Sequence, residues 1–257
     1  MRRRFFVEQF DSQSAALRGD TAEHLGRVLR AEPGQLYELS DGHAVWLARI
    51  ERVALSKRGD SRIDFALVEP VAAREPSLQI DVLLSLVKFD RFEWCLEKAT
   101  ELGARAIIPL AAARTDKALV AAAEKRRSRW EKIVVESAQQ SRRLRTPWIA
   151  GVASPAKAFA ECAAGAKILL SERREAPPIR ATLSAMKPPA EPGCSAAAAI
   201  AIGPEGGWTD EEVAGAMAAG FAEASLGENI LRTETAVIAA MAVISFALGE
   251  PIRSAPL

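Results

Sequence analysis

The spacing of hydrophobic and polar residues divides this 257-residue chain near residue 72. In the first part, short apolar runs are separated by turn residues such as Asp41-Gly42 and Arg58-Gly59-Asp60, which is the pattern of consecutive β-strands. The predicted strands are Leu36–Leu39, Val45–Ile50 and Ile63–Val68. The segment from His24 to Arg30 has helical spacing instead. We therefore predict a small β-rich domain over residues 1–72, with a proline-containing linker from Glu69 to Pro76.

From Leu78 onward, apolar strands alternate with amphipathic helices, which is typical of an α/β fold with a mainly parallel sheet. The predicted strands are Ile80–Val87, Ala106–Leu110, Lys167–Leu170, Ala197–Ile202 and Ala222–Leu226. The first two predicted helices are Asp90–Leu102 and Ala121–Ser141. A third begins at Ser154-Pro155 and ends at Gly165, and a fourth begins at the capping box Thr209-Asp-Glu-Glu212 and ends at Gly220. The last begins at Thr233 or Thr235 and ends at Gly249. A further helix is expected within residues 172–195. This pattern predicts a second domain over residues 73–257.

Composition adds little to this picture, but the distribution of charge does. Hydrophobic residues make up 49% and charged residues 26% of the chain, as in ordinary globular proteins, and the formal net charge is only +1. Basic residues are concentrated at Arg2-Arg3-Arg4 and between Lys125 and Arg145. Such a run is either a solvated helix face or a surface that contacts nucleic-acid phosphates. Its continuity with Gln140, Ser141 and Arg143 favours phosphate contact.

No feature of the sequence indicates a metal site, a membrane span or export. Cys95, Cys162 and Cys194 are far apart and form no CxxC pair, which argues against both a zinc site and a disulfide framework. The basic N-terminus lacks a following apolar segment, and the apolar run Ala236 to Leu248 is too short to span a bilayer. We expect a soluble, cytoplasmic protein that needs no metal.

Two loops in the second domain have the character of a ligand site. Gly203-Pro-Glu-Gly-Gly207 follows a strand and precedes a helix, and its glycines leave the backbone open to a small ligand. The segment Leu226 to Thr235 also lies between a strand and a helix. Parallel strands present such loops at one edge of the sheet, where α/β proteins bind ligands. Neither GxGxxG nor GxxxxGK[ST] occurs, which disfavours a dinucleotide or ATP.

Four segments resemble the bacterial 16S ribosomal RNA uracil-N3 methyltransferases, a family of the SPOUT class. They are Lys88–Gly103, Arg129–Arg143, Ile202–Gly207 and Leu226–Ala236, and Arg2–Phe6 and His24–Arg30 extend the likeness over nearly the whole chain. The resemblance implies an N-terminal PUA-like β-barrel for RNA binding and a C-terminal α/β trefoil-knot methyltransferase domain. It also implies S-adenosylmethionine as cofactor, 16S ribosomal RNA or the small ribosomal subunit as partner, and a homodimer with both active sites at the interface. A knot would not follow from the strand and helix pattern, because knots are very rare.

The resemblance also assigns residues to the site. The cofactor residues are Leu170, Ser171, Glu172, Ile202, Gly203, Pro204, Glu205, Gly206, Gly207, Leu226, Gly227, Ile230, Leu231, Arg232, Thr233, Glu234 and Ala236. The candidates for RNA contact are Arg2, Arg3, Arg4, Arg27, Arg30, Lys88, Arg91, Arg114, Arg129, Gln140, Ser141 and Arg143. The chain departs from the family pattern at Phe89, where glycine is common, and at Glu228-Asn229, where a basic residue is usual.

Methylation at N3 of uracil requires loss of a proton, because this nitrogen is protonated at neutral pH, and stabilisation of the resulting anion. Arg232 is the candidate to stabilise the uracil anion or to bind the cofactor carboxylate. Arg143 is the candidate to orient the target nucleotide across the dimer, and Glu205 the candidate base. Glu205 or Glu234 either favours the cationic sulfonium of the cofactor or serves as a charge at a helix N-terminus.

Two other functions remain open at this point. In the first, the chain is a non-catalytic RNA-binding protein, but its complete glycine motifs argue against that. In the second, a related knotted enzyme methylates a different RNA. The two histidines, His24 and His43, lie in the first domain, where a surface or barrel role fits them better than catalysis.

Overall fold

The computed structural model describes residues 3–56, 60–73, 76–186 and 196–249 of the chain. They form two compact units. The first comprises Met1–Glu75 and Ala138–Thr146, and the second comprises Pro76–Ser137 and Pro147–Leu257. The return of Ala138–Thr146, here called the return segment, to the first unit was not part of the predicted domain division. Arg2, Arg58, Gly59 and Cys194 lie outside the described residues.

The first unit is built on a mixed five-stranded sheet. Its strands are β1 (Arg4–Phe6), β2 (Ser14–Arg18), β3 (Leu36–Ser40), β4 (Val45–Ala54) and β5 (Arg62–Val71), in the order β1-β3-β4-β5-β2. Register shifts between β4 and β5 bend these two long strands, because an extra residue on one strand increases its twist. The sheet is therefore curled into a half-barrel, in agreement with the predicted β domain. Phe5, Leu25, Leu39, Ile50 and Phe65 are among the residues that fill its core.

The predicted helix from His24 to Arg30 takes a different form. Helix α1 spans Gly19–Glu23, and the chain then widens into a π-helical turn over His24–Val28. A side chain at Gly26 would come within 2.6 Å of the Leu55 side chain, so the glycine lets this turn lie against Leu55. Arg30 follows with a left-handed backbone conformation, at φ 52°.

A buried ion cluster fastens the return segment to β1 and β3. Arg4 and Glu38 are only 6% and 4% exposed, and Arg4 donates to Glu38 Oε2 from Nε at 3.0 Å and from Nη2 at 2.8 Å. Arg4 Nη1 donates to the carbonyl of Arg142 at 2.6 Å, and Arg142 also pairs with Glu38. Ser40 Oγ adds a hydrogen bond to the carbonyl of Leu144 at 2.7 Å. Two guanidinium groups thus compensate a carboxylate whose burial alone would be strongly unfavourable.

The second unit contains a sheet whose described strand pairs are all parallel. The strands are β6 (Leu78–Ser85), β7 (Ala104–Leu110), β8 (Trp148–Ile149), β9 (Ala166–Leu170), β10 (Ala196–Ile202) and β11 (Ala222–Ala224), in the order β11-β9-β10-β6-β7-β8. Both faces of the sheet are buried, since Val82 and Leu84 belong to one apolar cluster and Leu83 to another. Burial on both faces is what a parallel sheet between helices requires. The predicted α/β fold is confirmed.

Helices alternate with these strands. They are α2 (Phe89–Glu101), α3 (Lys117–Ala123), α4 (Arg127–Gln140), α5 (Pro155–Glu161), α6 (Ile179–Ala185), α7 (Asp210–Ala218) and α8 (Thr233–Leu248). The predicted capping box is present at α7, where Thr209 Oγ1 accepts from Glu212 N at 3.2 Å and Glu212 Oε2 accepts from Thr209 N at 2.9 Å. Ser154 caps α5, also as predicted.

Several predicted bounds were wrong. The helix expected over Ala121–Ser141 begins at Lys117, because Asp116 accepts a hydrogen bond from Ala118 N at 2.8 Å and so caps it earlier. A 3₁₀ turn over Glu124–Arg126 divides it into α3 and α4. The expected linker begins too early, because Glu69 and Pro70 still pair with β4 and extend β5 to Val71. Helix α5 ends at Glu161 rather than near Gly165.

Candidate active site

Three loops adjoin at one edge of the parallel sheet, because β9, β10 and β11 are neighbouring parallel strands. Strand β10 leads into the glycine loop (Gly203–Gly207), and β11 leads into the second loop (Ser225–Arg232). Strand β9 lies between them and leads into Ser171 and Glu172. The carboxyl ends of the strands in an α/β sheet are where ligands bind. The residues after Leu170 therefore connect the two loops that the sequence singled out.

These loops surround a cavity of about 430 Å³. Its volume lies within the range of roughly 300–1,000 Å³ that is common for small-molecule sites. The residues assigned to the cofactor line it, with the exceptions of Gly206 and Glu234: Leu170, Ser171, Glu172, Ile202, Gly203, Pro204, Glu205, Gly207, Leu226, Gly227, Ile230, Leu231, Arg232, Thr233 and Ala236. Residues outside that assignment complete the lining: Arg114, Arg173, Trp208, Ser225, Glu228 and Asn229.

The indole of Trp208 packs against the glycine loop. Its Nε1 donates to the carbonyl of Leu170 at 2.9 Å and so ties the end of the loop to β9. A Cβ atom at Gly203 would lie 3.1 Å from the indole, which is tighter than an ordinary contact. Gly203 therefore allows the indole to pack beneath the loop. Trp208 was not among the predicted site residues, although a tryptophan directly after a glycine loop is a usable signal of such packing.

Gly207 is a glycine for two reasons. Its φ of 69° lies in the left-handed region, which side chains with a Cβ rarely adopt. In addition, a Cβ atom would lie 2.9 Å from Glu172 Oε1. A hydrogen bond from Gly207 N to the carbonyl of Pro204, at 2.8 Å, closes the turn. The shape of the loop thus depends on this position.

Gly206 is not among the lining residues of the cavity, and its Cα faces the side chain of Arg114. A Cβ atom on Gly206 would lie 3.3 Å from Arg114 Cβ and 3.4 Å from Arg114 Cδ. Arg114 Nη1 donates to the carbonyl of Gly206 at 2.7 Å. The close approach at this glycine is therefore by an arginine side chain of the protein itself.

Glu205 forms an ion pair with Arg91, near the start of α2. The pair links the candidate base to one of the candidate RNA contacts. About half of the Glu205 side chain remains exposed, and Glu205 also lines the cavity. Arg91 therefore occupies part of the carboxylate that is the candidate base.

Arg232 and Arg173 bring positive charge to the cavity wall. Arg232 is exposed and directly precedes α8, and it has no ion pair within the described part of the chain. Arg173 is 3.5 Å from Asp210 and 4.0 Å from Glu223. Of the two, Arg232 has the more available guanidinium group, as its assignment to an anion requires.

Glu234 lies in the first turn of α8 and does not line the cavity. Its Oε2 is buried without a hydrogen-bond partner among the described residues. Burial, with a smaller contribution from the Glu234 carboxylate, raises the pKa of the Cys95 thiol to about 12. The place of Glu234 fits a charge at the helix N-terminus, and its assignment to the cofactor stays a prediction. Cys95 stays protonated at neutral pH and is not a nucleophile.

Several candidate RNA contacts already have partners within the protein. The ion pairs are Arg4 with Glu38, Arg27 with Glu23, Arg91 with Glu205 and Arg129 with Glu93. Exposed pairs are weak and exchange partners easily. The pair of Arg4 is buried, so Arg4 is not a surface contact, and this assignment was wrong. Arg3, Arg30, Lys88 and Gln140 are exposed.

The return segment carries Ser141 and Arg143, both half-buried. Burial lowers the pKa of the Arg143 guanidinium to about 10, which leaves it charged at neutral pH. The segment begins within the last turn of α4 and holds Arg142 in a left-handed conformation at φ 55°. The position of Arg143 thus depends on a strained residue that the buried ion cluster holds.

The two departures from the family pattern occupy defined places. Phe89 opens α2, and its ring lies 6.1 Å from the Trp130 ring and 4.8 Å from the Arg126 guanidinium carbon. Glu228 and Asn229 line the cavity. The first departure is therefore accommodated by packing, and the second puts a carboxylate where a basic residue is usual.

The described residues include no group of three His, Cys, Asp or Glu side chains that could hold a metal ion. Within the same ranges, no helix combines the length and the apolar character needed to cross a membrane.

Comparison with protein families gives one match over most of the chain. Residues 74–245 match the model of the RNA methyltransferase domain. A ribosomal RNA small subunit methyltransferase E from Synechocystis is 35% identical over 245 residues, which cover 93% of this chain and 75% of that protein.

Solved structures agree in both units. A ribosomal RNA small subunit methyltransferase E from Neisseria gonorrhoeae, bound to S-adenosylmethionine, superposes with a TM-score of 0.82 at 30% identity and covers 97% of this chain and 99% of its own. A methyltransferase from Legionella pneumophila, also in complex with S-adenosylmethionine, gives a TM-score of 0.80 at 27% identity and covers 98% of this chain and 100% of its own.

Proposed function

This chain belongs to the family of ribosomal RNA small subunit methyltransferases E, and on that premise we propose that it methylates N3 of a uridine in 16S ribosomal RNA with S-adenosylmethionine. The observation that carries the proposal is the cavity at the carboxyl edge of β9, β10 and β11. Both segments that most resemble the family, Ile202–Gly207 and Leu226–Ala236, contribute to its lining.

The lining suits the chemistry of this cofactor. Leu170, Ile202 and Leu226 offer apolar walls for an adenine ring, and the glycine loop offers main-chain polar groups for its edge. Glu172 provides negative charge for the cationic groups of the cofactor. S-adenosylmethionine, when bound, supplies a methyl group activated by a positively charged sulfur.

The protein must provide for the proton and the negative charge of the uracil ring. In the reaction the N3–H bond breaks and its proton leaves to a base. The N3–methyl bond forms as the bond between the methyl group and the cofactor sulfur breaks, and the demethylated cofactor is the leaving group. Arg232 supports this step by stabilising the uracil anion, since an exposed guanidinium at the cavity wall is available to it. Glu205 is the candidate base, and it can act when Arg91 releases its carboxylate.

RNA binding is proposed for the basic residues that remain accessible. Arg3, Arg30 and Lys88 are exposed, and the return segment offers Gln140, Ser141 and Arg143. Lysine and arginine neutralise phosphates, and this gives affinity without sequence preference. The target nucleotide is then selected by the residues around the cavity, with Arg143 as the candidate that orients it across the dimer.

A homodimer is proposed from the surface of α8. Between Thr235 and Leu248 this helix has no charged residue, and Phe246 is 92% exposed. A helix that is apolar on all sides is normally covered on all sides. Val243, also exposed, lies one turn before Phe246, so a second copy of this chain would bury both.

The proposed substrate is part of the ribosome, and we accordingly propose a cytoplasmic location.

A direct test of the substrate assignment uses reverse transcription, because a methyl group at N3 blocks base pairing and stops the polymerase. Ribosomal RNA from a strain without this gene should lose one stop at a uridine of 16S RNA, and the gene should restore it. An unchanged pattern of stops would contradict the substrate assignment.

A cofactor titration separates catalysis from RNA binding alone. We expect isothermal titration of the purified protein to detect binding of both S-adenosylmethionine and its demethylated product. Absence of heat with both ligands would favour a protein that binds RNA without catalysing methylation.

A further inference from the structure

The loop after β7 (Ala111–Asp116) makes contacts with the glycine loop that its sequence did not suggest. Arg114 was a candidate for RNA contact, yet its guanidinium donates to the carbonyl of Gly206 at 2.7 Å. Its aliphatic part lies against the Cα of the same glycine, since a Cβ there would be 3.3 Å from Arg114 Cβ. Arg114 therefore contacts Gly206 in two ways, through a charged hydrogen bond and through packing.

Glu212 connects the loop after β7 with the start of α7, directly after the glycine loop. Its Oε2 accepts from Thr209 N, in the capping box of α7, and its Oε1 accepts from Ala113 N at 2.8 Å. One carboxylate thus fixes the start of the helix that follows the glycine loop and the residue next to Arg114. A capping box alone needs only one of these two bonds.

The loop after β7 is itself held firmly. Ala111 N donates to the carbonyl of Ala153 at 2.9 Å, and Thr115 N donates to the carbonyl of Ala112 at 2.9 Å. Ala112 and Thr115 are 5% and 8% exposed. Contacts from such a loop can impose a shape on a glycine segment, which otherwise has many backbone conformations available.

We propose that Ala111–Asp116 is a clamp that fixes the glycine loop in its cofactor-binding shape, with Arg114 and Glu212 as positioning residues. This inference rests on the proposed function for the identity of the cofactor, but not for the effect of the clamp on the loop. Since Arg114 also lines the cavity, its role is to position the loop from the wall of the site. The backbone at Gly206 is then shaped by its contact with this arginine and not by a contact with the ligand.

The test compares Arg114→Met, Arg114→Lys and the control Lys167→Met. Methionine keeps much of the aliphatic contact but cannot donate a hydrogen bond, whereas lysine can donate. Lys167 is a matched control because its Nζ also donates to a main-chain carbonyl, that of Ala219, at 3.0 Å and away from the cavity. We expect Arg114→Met to raise the Kd for S-adenosylmethionine about tenfold, the effect of losing one charged hydrogen bond. Arg114→Lys should recover part of the loss, and Lys167→Met should bind as the parent protein does.

Hydrogen exchange of the cofactor-free protein gives a second readout. We expect the amides of Gly206 and Gly207 to exchange faster in Arg114→Met, and in Glu212→Gln to a smaller extent, while the core of the sheet is unaffected. Unchanged exchange and unchanged affinity in Arg114→Met would overturn the clamp, and a change only in the KM for RNA would return Arg114 to RNA contact. If the parent protein does not bind the cofactor, the proposed function fails. The exchange measurement then still tests whether the clamp fixes the shape of the glycine loop.

Discussion

The glycine loop and the return segment each contain one residue in a left-handed backbone conformation, and charged side chains contact both regions by different physical means. In the glycine loop, the residue at positive φ is Gly207, and Arg114 and Glu212 act on main-chain groups. In the return segment, the residue at positive φ is Arg142, and it is held by the buried carboxylate of Glu38. A glycine needs little help in this conformation, whereas an arginine is strained.

Because they are held differently, the two regions should respond differently to mutation. The glycine loop is held by a few partly exposed contacts to main-chain groups, so the loss of one contact should alter the shape of the loop and leave the fold intact. The return segment cannot shift without separating Arg142 from the buried carboxylate of Glu38 and the carbonyl of Arg142 from Arg4. We therefore expect mutations in the glycine loop to alter cofactor affinity, and mutations in the buried ion cluster that holds the return segment to alter stability.

The largest effect should come from removing the buried carboxylate. We expect Glu38→Ala to lower the free energy of unfolding by about 3–5 kcal/mol, because Arg4 and Arg142 would be left without compensation. Glu51→Ala is the control, since Glu51 pairs with Arg49 at an exposed position, and it should cost at most about 1 kcal/mol. Chemical denaturation followed by circular dichroism measures both. Equal losses would show that the cluster does not hold the return segment.

The next effect separates the two arginines proposed to act on the substrate. Arg232→Ala should lower kcat about 100-fold, if the guanidinium stabilises negative charge in the transition state. Arg143→Ala should mainly raise the KM for RNA, because Arg143 belongs to the return segment and orients the nucleotide. Steady-state kinetics with small ribosomal subunits distinguishes the two. The same kinetic change in both variants would contradict the division of roles.

A smaller effect is expected from strain in the glycine loop. Gly207→Ala places a Cβ at φ 69° and close to Glu172, so the strain of about 1–2 kcal/mol should raise the Kd for S-adenosylmethionine roughly tenfold. Gly220→Ala is a matched control, because Gly220 has φ 85° but no atom within 4 Å of the added Cβ. The control should lose stability and keep its cofactor affinity. Loss of affinity in both variants would point to a general effect of strain.

The smallest effect concerns exposed cations. Lys88→Ala should reduce the slope of log affinity for RNA against log salt by roughly one unit, since one phosphate contact is lost. Arg129→Ala should change the slope less, because Arg129 is 2.7 Å from Glu93 and partly neutralised. Fluorescence anisotropy with labelled RNA at several salt concentrations measures the slopes. A larger change for Arg129 would mean that its ion pair opens in the complex.

Local sequence was sufficient to predict the elements that build the cofactor site. The capping box at α7 follows from Thr209 and Glu212, and the strand before the glycine loop follows from its apolar residues. The position of the second loop follows in the same way, because parallel strands end at a common edge. Methyl transfer and the uracil target were implied by the resemblance, and no spacing of residues contained them.

Contacts between distant segments could not be predicted in this way. Arg4 was assigned to RNA because it belongs to a basic run, but its partner Glu38 is 34 residues away and buried with it. Gly206 was assigned to the cofactor, but the arginine that covers it is 92 residues earlier in the chain. A charged side chain has the same appearance in a sequence whether it faces solvent, RNA or a buried partner, so its role becomes visible only with the tertiary structure.

The central claim is methyl transfer to N3 of a uridine in 16S ribosomal RNA. The purified protein can be incubated with S-adenosylmethionine that carries an isotopically labelled methyl group and with small ribosomal subunits from a strain without the gene. Digestion of the RNA to nucleosides and mass spectrometry then identify the labelled product. We predict that the label appears in 3-methyluridine from a single position of 16S RNA. Label in another nucleoside, or no label when the cofactor is bound, would contradict it.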